Sequence, residues 1–356
     1  MTKTKINTTQ INNNTKKIIN WPEYNRGLVN RGRICIWIDK IILESQLGNS
    51  HADPTRLLGG RPKRYSDNLI LSALTIKELF GLTLRATEGL LQDLLVCICG
   101  GINLSVTAPD YTTLCRRSAN LNVPLRRYST LSKSGAIDLL IDSTGVKIMG
   151  EGEWKIRMHG KSKMKRYRKV HIAIDYSSRT ILGVTMSDAN FQDADAVPDL
   201  LREISQLPNS ESKSITTLIA DGAYDRRKLY QLTNKSNIKL IAPPITNARI
   251  RKTSDDLKNR RTYRSYEGCI EDCNDPVWGL RNKYVMDCRR LGKAKWKEGV
   301  GYHKRSLIEN TMYRLKRSFT DEMRAKKDNT QLATMKIRLS LLNYFTSLGL
   351  PEYKFT

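Results

Sequence analysis

The hydrophobic positions of this chain change period twice. From Ser66 to about Phe80, and again from Thr83 to about Cys97, apolar residues recur at the three-to-four spacing of amphipathic helices. Ser66 is placed to cap the first helix and Gly81 to end it, while Leu84, Leu90, Leu91 and Leu94 form the apolar side of the second. Asp110 caps a third helix over Tyr111–Asn120. Upstream, the segment from Trp21 is amphipathic. Residues 1–20, biased to Asn, Thr and Lys, read as a disordered lead-in.

From Gly135 the pattern turns to short apolar runs. Ile137–Asp142 reads as a buried strand, and Arg168–Asp175 with Thr180–Ser187 as a hairpin turning at 176–179. Lys155–His159 alternates and is either strand or loop. Ala194–Leu207 is a helix, Thr217–Ala220 a strand, Arg226–Ser236 a helix, and Lys239–Ala242 a strand stopped by Pro243 and Pro244. Three strands, helix, strand, helix, strand and a late helix predict an α/β class. The order is that of an RNase H-like mixed sheet, with three antiparallel strands, then parallel ones, and helices on both faces. The expected division is a helical module over 21–130 and a catalytic domain over 135–345, with a basic insertion at about 245–301.

Helical periodicity returns near the C-terminus and carries the candidate chemistry. Tyr302, Arg305, Glu309 and Lys316 are spaced Tyr-x2-Arg-x3-Glu-x6-Lys. At about 100° per residue, the last three fall within about 40° on one helix, and Tyr302 within about 60° of Arg305. Ile308, Met312, Leu315 and Phe319 form an adjacent apolar stripe that can dock the helix. Asp142 and Asp221 each stand at the tip of an apolar strand. If those strands are parallel neighbours they lie about 4.8 Å apart, and the two acids are adjacent. Ligands of open α/β sheets gather at such carboxyl ends. With Glu309 the site holds three carboxylates, which repel one another unless a cation sits among them. Mg²⁺ is the natural choice. Two ions can clamp the attacking and leaving oxygens of an in-line phosphoryl displacement. Asp175, Asp188, Asp193, Asp195 and Asp225 read instead as turn or capping acids, Asp225 capping the helix after the second acidic motif.

Asp142 in IDSTG, Asp221 in IADGAYD and Glu309 in YHKRSLIENTMYRLK resemble the acidic triad of DDE transposases from bacterial insertion sequences. The spacing of Tyr302, Arg305, Glu309 and Lys316 matches that family's C-terminal signature. The resemblance, from about Trp21 to Pro351, implies an RNase H-like catalytic domain and metal ligation by Asp142, Asp221 and Glu309. It implies cleavage at the element's ends followed by strand transfer, in two Mg²⁺-dependent steps with Mn²⁺ able to substitute. It further implies a homodimer on DNA, in a bacterial cytoplasm at the nucleoid. Arg305, Lys316 and Tyr302 would grip phosphates. An aromatic in the insertion, Trp296 or Trp278, would stack on a flipped base or be packed core.

Charge strengthens the nucleic-acid reading. Lys and Arg number 61 against 35 acids, a net charge of +26, which points to a polyanionic partner, most simply double-stranded DNA of terminal repeats and target. A solvated basic surface is the alternative. Between Lys155 and Lys169 there are eight Lys or Arg and no acid. Lys163, Lys165, Arg166 and Arg168 there either follow a DNA backbone or line a solvated loop. The three N-terminal helices, with Arg116 and Arg117 in the last, form either a helix-turn-helix-like DNA reader or a helical cap on the catalytic domain. Gly60–Arg64 is a minor-groove arm or a plain linker. The seven Cys show no disulfide framework, which suits a reduced compartment, and their spacing with His303 is poor for zinc. No apolar run reaches the ~18 residues of a membrane span, and the lead-in lacks the apolar region of a signal peptide. Three activities remain open: a transposase, a nuclease or resolvase that cuts without joining, and a catalytically silent repressor of the element.

Overall fold

The computed structural model describes residues 16–33, 64–99, 107–128, 136–149, 167–206, 214–245, 247–250 and 278–355. In chain order the strands are β1 (Lys16–Ile18), β2 (Ala136–Ile148), β3 (Tyr167–Asp175), β4 (Ile181–Asp188), β5 (Ser214–Ile219), β6 (Lys239–Ile241), β7 (Glu322–Met323) and β8 (Tyr353–Phe355). The α-helices are α1 (Trp21–Arg31), α2 (Asp67–Leu79), α3 (Leu84–Cys99), α4 (Tyr111–Ser118), α5 (Val197–Ser205), α6 (Arg227–Lys235), α7 (Gly279–Leu291), α8 (Lys293–Gly299), α9 (Ser306–Phe319) and α10 (Asp328–Ser347).

Strand β2 is the spine of the sheet, whose order is β4-β3-β2-β5-β6. It pairs antiparallel with β3 and parallel with β5, and β5 pairs parallel with β6. This is the expected RNase H-like mixed sheet. Its hairpin turn is held by Asp175, fully buried, whose carboxylate accepts from the amides and hydroxyls of Ser177 and Ser178. Asp175 is thus a turn residue, as its position implied.

Alternation along β2 sends its side chains to two cores. Ile137, Leu139 and Ile141 pack with Val197, Leu200 and Ile204 of α5 and Leu229 and Tyr230 of α6. Leu140 and Val146 pack on the other face with Ile308, Met312, Leu315 and Phe319 of α9 and with α10. Helices therefore cover both faces.

Helices α2 to α4 do not form a core of their own. Leu69, Ile70, Leu74, Leu91 and Leu114 join the cluster that holds Ile337 and Leu341 of α10. Glu78 of α2 and Arg338 of α10 make a buried 2.7 Å ion pair across that interface. This packing ties the three N-terminal helices to α10. The expected caps are present: Ser66 accepts from the Leu69 amide at 3.1 Å and Asp110 from the Thr113 amide at 2.8 Å. Within the stretch read as disordered lead-in, residues 16–18 form β1, antiparallel to β8; residues 1–15 lie outside the described residues, as do Gly60–Lys63.

Candidate active site

Strand β2 is longer than its apolar run implied, so Asp142 lies in mid-strand and not at a tip. The strand continues because Val146 is buried and because β7 pairs with Lys147 and Ile148. The parallel pairing with β5 runs only to Leu140↔Ile219, and that with β7 starts at Lys147↔Glu322. Between these limits no strand among the described residues pairs with that edge of β2, and Asp142 stands in the gap. Continuing the register two residues past Leu140↔Ile219 brings Asp221 opposite Asp142. The charge of Asp221 acts on Asp142, so the end of the β2–β5 pairing brings the first two acids near one another.

Glu309 arrives from the opposite end of the chain. The buried stripe of Ile308, Met312, Leu315 and Phe319 docks α9 on the sheet, which leaves Glu309 in its first turn facing the gap. Arg305 joins the two. Its Nη2 donates to Asp142 Oδ2 at 2.7 Å and its Nη1 to Glu309 Oε1. Burial pushes the Asp142 carboxyl up. Arg305 and the Ser143 amide pull it down, and the charges of Asp221 and Glu309 push it up again, leaving it above the usual carboxylate value. Asp142, Asp221 and Glu309 thus share one electrostatic field.

Tyr302 and Arg305 are not on the α-helix. They begin and end a 3-10 turn, Tyr302–Arg305, that leads into α9. Gly301 precedes it with φ 71°, a left-handed conformation that favours glycine and that turns the chain into the site. Lys304 locks this turn to the sheet through a 2.7 Å ion pair with Asp138. Asp138 lies four residues before Asp142, on the same face of β2. The alternation of β2 could have flagged it. Tyr302 is half-buried, which pushes its phenol up, and Lys297 lies over its ring at 5.1 Å. Lys316 is exposed, seven residues beyond Glu309 on α9.

After β5 the chain makes a 3-10 turn, Gly222–Tyr224, capped by Asp221, whose Oδ1 accepts from the Ala223 amide at 2.8 Å. Tyr224 is fully buried beside the acids. Burial first, then Asp193, Asp142 and Asp221, push its phenol up.

Other expected roles change. Asp225 does not cap α6; it makes a buried bidentate pair with Arg281 at 2.7 and 3.0 Å, fastening α7 to the acidic loop. Trp296 is buried edge-on against Tyr284, with ring centroids 5.1 Å apart. It is packed core, with no face open to a base. Arg117 is taken up by Asp67 and by the Tyr65 carbonyl at 2.9 Å, bracing α2 against α4. Arg168 is held between Asp188 and Asp328 at 3.2 and 3.0 Å. Arg116 stays exposed. Lys163, Lys165 and Arg166 lie outside the described residues.

Among the described residues no three His, Cys, Asp or Glu side chains stand close enough to ligate one ion as placed. The donor set nonetheless fits a hard divalent cation. It is made of carboxylate oxygens alone, the charges of Asp221 and Glu309 raise the proton affinity of Asp142, and the cation now between Asp142 and Glu309 is the Arg305 guanidinium.

A family profile described as Transposase DDE domain matches residues 133–344, and a second of the same description matches residues 29–151. Among solved structures, the chain is similar to the Drosophila P element transposase strand transfer complex, at 14% identity over 84% of this chain and 70% of that one, with TM-score 0.30. It is also similar to the Mos1 transposase paired-end complex with left transposon end, at 10% identity over 71% and 83%, with TM-score 0.22. Likenesses this distant carry no argument by themselves; the profile over 133–344 spans more than half the chain and contains all three acids. The protein belongs to the DDE transposase family, a family of polynucleotidyl transferases.

Proposed function

We propose that this chain is an active transposase that binds the terminal repeats of its own element, cuts the phosphodiester at each end and joins the freed 3′-OH to target DNA. The observation that supports the reading is that Asp142 of β2 and Glu309 of the distant helix α9 share the Arg305 guanidinium, while the charge of Asp221, in the turn after β5, acts on Asp142. The net charge of +26 supports a polyanionic substrate.

Asp142, Asp221 and Glu309 would hold Mg²⁺, with Mn²⁺ as a substitute. The chemistry such ions would supply there is activation of the attacking oxygen and neutralisation of charge on the leaving one. The remaining work falls to the chain. Arg305, drawn by a phosphate, would leave its carboxylates and form charge-assisted bonds to the strand. Lys316 would hold the same backbone farther along α9. Tyr302 would pack against it, and the Asp138–Lys304 pair keeps the turn that carries Tyr302 and Arg305 in register with β2. Two copies acting on paired ends suit a reaction that must join two termini.

The test is strand transfer with labelled element ends and a target plasmid, in Mg²⁺ and in EDTA. Joined products that need the metal are expected. Cutting without joining would move the reading to a nuclease, and tight end binding with no chemistry in Mg²⁺ or Mn²⁺ to a repressor.

A further inference from the structure

Beside the acids lies a cleft of ≈ 370 Å³, lined by Gly222, Pro243, Pro244, Lys293, Lys297 and Tyr302 among others. Gly222 follows Asp221 directly, so whatever enters the cleft lies against the second acid's loop. A side chain at Gly222 would meet the Pro243 carbonyl at 3.2 Å, so the glycine lets the acidic loop and the Pro-Pro segment close together.

The charge in this cleft is uncompensated. Three cations near the acids are spent on internal partners: Lys304 on Asp138, Arg305 on Asp142 and Glu309, and Arg281 on Asp225. Lys293 and Lys297 have no ion pair with any described residue; Lys293 donates only to the Pro244 carbonyl at 3.2 Å, and Lys297 rests over the Tyr302 ring. The nearest acid on α7, Asp287, is engaged with Arg290 at 3.4 Å. A cation–π contact at a half-exposed site contributes about 0.5–1 kcal/mol, less than a charge-assisted bond to phosphate contributes. Both ammoniums are therefore held in place yet free to change partner. The volume lies within the range of small-ligand sites, about 300–1,000 Å³. A double helix cannot enter a cleft of that size, whereas a short stretch of single strand can.

We propose that this cleft is a single-strand DNA subsite, in which Lys293 and Lys297 each take one backbone phosphate while Tyr302 packs against the sugar or base between them. It steers an unpaired strand into the gap at Asp142. This rests on the transposase reading, since it names what the same site grips beyond the scissile phosphate.

The experiment is fluorescence anisotropy of labelled oligothymidylate and of a random duplex, titrated with wild-type protein over a series of salt concentrations. The Lys293→Ala/Lys297→Ala variant is compared with Lys235→Ala/Lys239→Ala, which removes two exposed charges that do not line the cleft. Loss of two phosphate contacts should flatten the single-strand salt slope by about 1.4, at about 0.7 per contact. The control variant should leave that slope within error of wild type. Lys293 is exposed and Lys297 half-buried, and each has one weak internal contact, so the melting midpoint should fall only slightly. Equal slopes for the two double variants would overturn the subsite, and so would wild-type binding of duplex with none of oligothymidylate. Failure of the wild type to bind either DNA would instead sink the transposase reading.

Discussion

Arg305→Met should destabilise the metal-free protein and strengthen its response to metal. Arg305 is about as buried as its main partner: their side chains retain 17% and 13% exposure, whereas Glu309 retains 56%. Removing one member of a buried pair costs about 3–5 kcal/mol, because the other charge is left in a poor solvent. An exposed pair contributes about 0.2–1 kcal/mol. With most of the effect on the Asp142 arm and partial solvent access discounted, the expected loss is about 3 kcal/mol. Asp142→Asn should behave differently. The Asp142 carboxyl is raised in the folded state, so its ionisation removes stability as pH climbs through the ordinary carboxylate range. Neutralising it takes that penalty away, and Arg305 keeps Glu309. The single variant should lie within about 1 kcal/mol of wild type, and Arg305→Met/Asp142→Asn should recover most of the Arg305→Met loss. The assay is urea unfolding followed by circular dichroism, in EDTA and in Mn²⁺. Mn²⁺ should raise the midpoint of Arg305→Met more than that of wild type, because no guanidinium has to be displaced, and should leave Asp142→Asn almost unmoved. An Arg305→Met variant as stable as wild type in EDTA would refute the reasoning, as would a double variant weaker than both singles.

His171 is fully buried and its imidazole is pushed down to about 4, chiefly by burial. Its neutral form is the folded one, so stability present above pH 6.5 should fall away between 6.5 and about 4, by about 3 kcal/mol in all; urea midpoints of His171→Gln at pH 7 and pH 4.5 should show a shallower loss than wild type. Arg338→Met should cost about 1.5–3 kcal/mol, because Glu78 loses its charge-assisted bond to the guanidinium while keeping Lys77, and Glu78→Leu/Arg338→Met should regain part of it. Because α2 and α10 share one core, unfolding of that region should be a single transition in calorimetry; separate transitions would mean that the N-terminal helices fold alone.

The parts of the site legible in the sequence are those with a local cause. Apolar runs ending in Asp142 and Asp221 mark buried strands whatever packs on them, and Pro243-Pro244 stops β6 because proline lacks the ladder donor. Ser66 and Asp110 announce helix starts because a cap bonds within three residues. The docking stripe of α9 follows from its own periodicity. What escaped is decided by partners distant in sequence. The extension of β2 past Asp142 depends on β7, whose residues lie 175 positions downstream of their partners Lys147 and Ile148. Asp225 reads as a cap until Arg281 is packed against it, and Arg117 and Arg168 read as free charges until Asp67, Asp188 and Asp328 are placed. Trp296 reads as an available ring until Tyr284 covers it. The start of the 3-10 turn has a local sign in Gly301, but the turn's fastening to the sheet through Lys304 does not.

The most direct measurement is single-turnover cleavage of the element's own ends by Asp142→Ala, Asp221→Ala, Glu309→Ala and the triple variant, in Mg²⁺. If the three carboxylates act as one unit, each single loss should approach that of the triple, at about 10³-fold or more. A single variant that cuts within about tenfold of wild type, with its fold intact, would contradict a shared phosphoryl-transfer site.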